Sequence, residues 1–434
     1  MARDMKDSGI EWIGEIPRKW DLVKTKHCYS NQKVIVGENA DEYERLALTL
    51  NGVIKRSKYD STGLQPEAFN GYQILHKNEL VFKLIDLENI STSRVGYSPY
   101  TGIVSPAYIV LHPNERKESR FGEYYFLSMW QREIFNHMGD DGVRSSLNAK
   151  DLMDTPYLRI PSSEKEIIVS FLDNQCTHID SVIEKTRAAI EEYKRLKQSV
   201  ITQAVTKGIR PNREMKDSGI EWIGEIPKEW DSIISRFVIN QIGDVDHYMP
   251  VSIDEGKPYI MTGDLKTLLS KVDFHKCKKI SEDDYHKLCK KIQPCVGDVI
   301  FARYATIGTV CYVDVEVECI ISYSCVTVKP NKDLLNGYYL FYYLQSSAFM
   351  EDVRQYINSN TQGNVGIEAL YKVKIPLSNL CEQSEIVAYL DEKTAAIDSL
   401  IQKKEQLISE LEAYKKSLIY EYVTGKKEVP VHAH

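Results

Sequence analysis

The chain has 434 residues, 43% hydrophobic and 27% charged, with a formal net charge of −7. That length exceeds one typical core and points to two or three domains, while no stretch nears the ~18 apolar residues of a membrane span and Met1–Asp7 lacks the apolar run of a signal peptide. Nine cysteines stand singly without a C-x-x-C pair, so a cytoplasmic protein without a disulfide framework is expected.

The first element is an opening motif, Met5 to Pro17, whose thirteen residues recur unchanged from Met215 to Pro227 at a spacing of 210. Arg18-Lys19-Trp20-Asp21 answers to Lys228-Glu229-Trp230-Asp231. Such identity implies duplication or recombination.

In the first body, Lys55, Arg56 and Lys58 form a basic cluster, read either as a phosphate contact or as a solvated face. The stretch Lys77–Lys83, then Arg94-Val95-Gly96, Ile103-Val104 and Tyr108–Leu111, reads as short strands of a mixed α+β domain, with Arg94 a further candidate DNA contact. A polar loop, Gly142–Asn148, offers Arg144, Ser145 and Asn148, side chains suited to base edges and phosphates.

A long helix follows. Leu172, Cys176, Ile179, Ile183, Thr186, Ile190, Tyr193, Lys197, Val200 and Ala204 step by four and three, which is a coiled-coil seam. If unbroken from about Glu164 to Thr206, this helix is roughly 60 Å long by its ~1.5 Å rise per residue. The second opening motif begins a few residues past its end, so the two bodies are expected at opposite ends.

The second body carries the basic residues Lys276, Lys278 and Lys279. Cys277, Cys289 and Cys295 with His275 and His286 match no common zinc spacing, and no metal is expected. Glu282-Asp283-Asp284 reads as a solvated face rather than a nuclease carboxylate cluster. Val296–Gly308 and Thr309–Val313 read as a hairpin with Arg303 and Tyr304 at its tip. A polar loop, Asn358–Asn364, offers Asn360, Gln362 and Asn364.

The second tail repeats the first at a spacing of 218, with a seam of Leu390, Thr394, Ile397, Ile401, Lys404, Ile408, Leu411, Lys415, Leu418 and Tyr422. To pair with the first helix, the second must run back antiparallel, returning Lys426–His434 toward the N-terminal motif.

The opening motif, the Val296–Arg303 hairpin, Glu382-Gln383 before Ile386–Asp391 and the doubled layout resemble the specificity subunits of Type I restriction-modification systems, over essentially the whole chain. The first copy departs with Glu164-Lys165-Glu166 where the second has Glu382-Gln383. The resemblance implies an α+β fold of two pseudo-twofold-related mixed α/β target-recognition domains separated by an antiparallel coiled coil. Their expected bounds are 1–162 and 209–380, with helices at 163–208 and 381–426 and a tail at 427–434.

It further implies a non-catalytic chain that reads a bipartite site in double-stranded DNA, one half-site per domain. Such a chain docks two modification (methyltransferase) subunits and restriction (translocase/nuclease) subunits. S-adenosylmethionine, ATP and Mg belong to those partners, and no G-x-x-x-x-G-K-[ST] loop or Asn-Pro-Pro-Tyr motif occurs here. A Type IIB-like recognition subunit is the alternative within the class, separable by neighbouring genes. A two-headed protein scaffold is the alternative outside it, which the acidic charge favours and salt-dependent DNA binding would exclude.

Overall fold

Both opening motifs close into antiparallel hairpins, Met5–Asp7 on Glu15–Pro17 and Met215–Asp217 on Glu225–Pro227, in the same register. Gly14 and Gly224 hold φ of +69° and +68°, a left-handed conformation that L side chains resist. The turn they permit buries Ile13 and Ile223. The computed structural model describes residues 3–60, 68–85, 87, 93–138, 146–304, 306–358 and 363–430. The chain divides into two lobes, residues 1–186 with 406–434, and residues 187–405.

In the first lobe a four-stranded sheet runs in the order Tyr29–Ser30, Ile109–Pro113, Leu80–Phe82, Val95–Tyr97. Helix α1 (Glu118–Gln131) lies on it, burying Phe121, Tyr125 and Phe126. A second sheet orders Gly52–Arg56, Arg45–Thr49, Gly102–Val104 and Gln73–Leu75. Helix α2 (Ala149–Asp154) and the strand Pro156–Arg159 lead into α3 (Ser162–Lys207), which continues into the second lobe.

The second lobe repeats this plan. Its four-stranded sheet, Ile239–Gly243, Cys325–Pro330, Val299–Ala302, Val310–Tyr312, has the same order. Its other sheet again contains one parallel pair, Lys257–Ile260 beside Ile320–Ile321, matching Arg45–Thr49 beside Gly102–Val104. The helices are α4 (Glu282–Cys289), α5 (Gly337–Gln345), α6 (Ser347–Arg354), α7 (Ile367–Leu370) and α8 (Leu380–Val423), the last ending in the first lobe.

Helices α1 and α5 extend the 218-residue register upstream of the tails. Tyr124 donates to Asp173 at 2.7 Å and Tyr342 to Asp391 at 2.6 Å. Tyr125 donates to the carbonyl of Pro156 and Tyr343 to that of Lys374. All four pairs are related by the same spacing.

Within the first lobe the start of α3 packs on the end of α8. Leu172, Cys176, Ile179, Ile183 and Thr186 are buried, as are Leu418 and Tyr422, with Ile408, Leu411 and Lys415 half-buried. Within the second lobe the end of α3 packs on the start of α8, burying Ile190 and Ala204 with Leu390, Thr394 and Ile397, while Tyr193, Lys197, Val200, Ile401 and Lys404 are half-buried. Lys415 reaches Asp180 at 2.6 Å in one lobe, and Lys197 reaches Asp398 at 2.7 Å in the other. These are one contact made twice, since both partners shift by 218.

Candidate nucleic-acid interface

Each lobe is held to its helices by one tryptophan. Trp20 Nε1 donates to Glu164 at 2.9 Å, and Trp230 Nε1 donates to Glu382 at 3.0 Å. Arg3 and Arg213 pair with the same carboxylates, and their guanidinium groups lie over the indoles at 5.0 and 5.9 Å. Glu164 and Glu382 are therefore equivalent, and Lys165 against Gln383 is the departure between copies.

On this shared frame the hairpin of each four-stranded sheet carries different side chains. Leu147 N–H donates to the carbonyl of Leu84 at 2.8 Å, and Val365 N–H to that of Arg303 at 3.1 Å. Single bridges pair Ile85 with Ser146 and Tyr304 with Asn364. The backbone positions thus correspond. One lobe places Leu84 and Ile85 where the other places Arg303 and Tyr304.

Arg303 is not at an exposed tip, as its place in the hairpin suggested. It directly follows the strand Val299–Ala302, is 6% exposed, and forms an ion pair with buried Asp244. His247 Nε2 lies 3.0 Å from Asp244 Oδ2 and 3.1 Å from Arg303 Nη2. The imidazole stacks on Tyr323 at 5.1 Å and meets Tyr304 edge-on at 6.3 Å. Lys291 adds a cation 3.4 Å from Asp244 Oδ1. Burial alone would push the Asp244 carboxyl up, but the His247 hydrogen bond and the charges of Arg303 and Lys291 outweigh it and hold it below the usual value.

Three residues singled out in the sequence therefore converge in the second lobe: Arg303, Tyr304 and Asn364. Asn360 and Gln362, like Arg144 and Ser145 of the first lobe, lie outside the described residues. Asn148 is an N-cap: its side chain accepts from Asp151 N–H at 3.0 Å at the start of α2. Arg94, expected as a DNA contact, directly precedes the return strand Val95–Tyr97 and is wholly buried.

The basic clusters are engaged with the protein itself. Lys55 pairs with Glu44 at 2.5 Å and Arg56 with Asp60 at 2.8 Å, while Lys58 donates to the carbonyl of Ala40. Lys278 and Lys279 donate to the carbonyls of Pro250 and Phe274, and Lys276 stays largely exposed beside Asp273. Among the described residues no group of three or more His, Cys, Asp or Glu could hold a metal ion, and no helix is long and apolar enough to cross a membrane.

Sequence reasoning missed Asp244, His247 and Tyr323. The spacing Asp244-x-x-His247 is visible, but nothing local ties it to an arginine 59 residues on.

Two lobes of one plan, alike in frame and unlike in the side chains of one hairpin end, define a duplicated α+β binding protein. Residues 241–411 match the Type I restriction modification DNA specificity domain. The putative type I restriction enzyme MjaX specificity subunit of Methanocaldococcus jannaschii is 24% identical over 447 residues, covering 96% of each chain. The MjaVIII specificity subunit of the same organism is 22% identical over 76% of this chain and 75% of its own. A chain solved in work on complex assembly and conformational transition of the type I R-M system shares the fold, with a TM-score of 0.69 at 16% identity, covering 95% of this chain and 99% of that one.

The chain thus resembles type I restriction enzyme specificity subunits along nearly its whole length and shares their fold.

Proposed function

We propose that the two lobes read the two halves of a bipartite site in double-stranded DNA, and that α3 and α8 set the gap between them. The same helices dock two modification subunits and, in the nuclease complex, restriction subunits; S-adenosylmethionine, ATP and Mg act on those partners.

One observation carries the reading. Identical backbone hydrogen bonds present Leu84-Ile85 in one lobe and Arg303-Tyr304 in the other. A frame kept constant around chemically opposite side chains is what two readers of different sequences require, because specificity lives in contacts to base edges while the scaffold only positions them.

The test is to map methylated adenines across the genome of a host carrying the complete system, then to replace residues 22–159 with the corresponding body of another specificity subunit. One half-site should change and the other remain. A change in both halves, or in neither, overturns modular reading.

A further inference from the structure

We propose that His247 contacts a base edge in the second half-site, with Asp244 and Arg303 as its positioning residues; this rests on the reading of each lobe as a half-site reader. A buried ion pair costs desolvation that its own attraction offsets only with good geometry and further hydrogen bonds. Here the pair is completed from outside by an imidazole whose side chain is 53% exposed.

Three contacts fix that ring. Nε2 meets the carboxylate at 3.0 Å and the guanidinium at 3.1 Å, and one face stacks on Tyr323. An exposed side chain held this closely is pre-organised for a partner, because its rotamer freedom is lost before binding. Both of these polar contacts use Nε2, and Arg303 Nε is a buried donor without a hydrogen-bond partner among the described residues.

Nε2 faces a carboxylate, which only accepts, and a guanidinium N–H, which only donates. When Nε2–H donates to Asp244 the free Nδ1 is an acceptor, and when Nε2 accepts from Arg303 it is Nδ1–H, a donor. In the major groove the donors available to an acceptor are the exocyclic amino groups of adenine and cytosine, whereas guanine and thymine present acceptors at the corresponding place. An acceptor Nδ1 thus suits adenine or cytosine and a donor Nδ1 suits guanine or thymine, and in either form the ring offers one directional contact to a base edge. Tyr304 lies edge-on to the ring and under Arg303 at 4.4 Å.

The experiment uses the full chain assembled with its modification subunits, methylating a DNA library randomised across both half-sites. His247→Ala should lose roughly tenfold discrimination at one base pair of the second half-site and leave the first half-site untouched. Asp244→Asn should weaken the same preference and no other. Two outcomes overturn the proposal: an unchanged profile for His247→Ala, or uniform weakening over all sequences as for a phosphate contact. A parent with no second half-site at all overturns bipartite reading as well, and so is distinguished from failure of the His247 assignment alone.

Discussion

At the residue scale the two copies solve one problem in two ways. Glu118 and Asn336 stand at the start of α1 and of α5, and Lys165 and Gln383 near the start of α3 and of α8, each pair 218 apart. In the first lobe Lys165 and Glu118 form a buried ion pair, to which Tyr157 also donates at 2.8 Å. In the second, Gln383 accepts from Asn336 N–H at 2.7 Å and donates to the carbonyls of Leu334 and Ser378. Lys165→Gln alone strands a buried carboxylate and should cost about 3–5 kcal/mol. Adding Glu118→Asn should recover most of that loss, read as positive coupling in a double-mutant cycle on the first lobe's thermal transition. Additive losses would contradict the equivalence. Lys165 looks like a lone departure in the sequence because its partner lies 47 residues away. A second titratable pair sets a pH dependence. The hydrogen bond to Glu79 at 2.5 Å raises His112 above its ordinary value, against the opposing effect of burial. Its folded value exceeds its unfolded one, so the stabilisation is complete below the unfolded value near ~6.5 and lost as pH rises through the folded one. Unfolding of the first lobe should become easier over that rise, and His112→Phe should flatten the dependence.

At the element scale the helix seams were legible because period alone defines them. Their uneven burial was not, since period says nothing about what covers an element from outside. Leu172 and Leu390 are fully buried because sheet and helix residues of their own lobes close over them, including Phe121 in one case and Tyr339 in the other. Ile401 and Ile408 are only half-buried, and Lys197, Lys404 and Lys415 interrupt the stripe. Leu390→Ala should therefore cost about 2–5 kcal/mol, and Ile401→Ala less than half as much. Equal losses, measured by denaturant unfolding with spectroscopic signals from each lobe, would mean that the seam rather than the lobe core holds the helix. The hairpin shows the opposite limit. Its strands were readable from alternation and glycine, but an arginine just past a strand reads as exposed unless its counter-ion is known, and Asp244 comes from a different strand end of the same sheet.

At the scale of the whole molecule, the segment after α8 returns to the opening motif of the first lobe. In the first lobe Arg3 donates to the carbonyl of Gly425 at 3.3 Å, and Lys426 donates to that of Ile13 at 2.8 Å. Gly425, at φ +72°, fits against Trp20 and Pro17 so closely that a Cβ there would lie 2.8 Å from the indole. Gly208, at φ +73°, occupies the same place against Trp230 in the second lobe, and a covalent link of four residues, Ile209-Arg210-Pro211-Asn212, carries the chain on to Arg213. The junction at Gly425 and Arg3 is thus the junction at Gly208 and Arg213 without its peptide link. Joining Gly425 to Arg3 through a copy of residues 209–212, and opening the chain between Arg210 and Pro211, exchanges which junction is covalent and leaves both tryptophan sites intact. The cost is modest: Arg210 at the new end makes an exposed ion pair with Glu385 at 2.6 Å, worth about 0–1 kcal/mol, and dropping residues 426–434 gives up the Lys426 hydrogen bond to Ile13, worth about 0.5–1.5 kcal/mol. The permuted chain should fold and, with its modification subunits, methylate the same sites as the parent. The measurement is the genome-wide adenine methylation pattern beside the melting temperature. A permutant that melts within a few degrees of the parent yet marks different sites would show that the order of the two lobes along the chain, and not the lobes themselves, determines what is read.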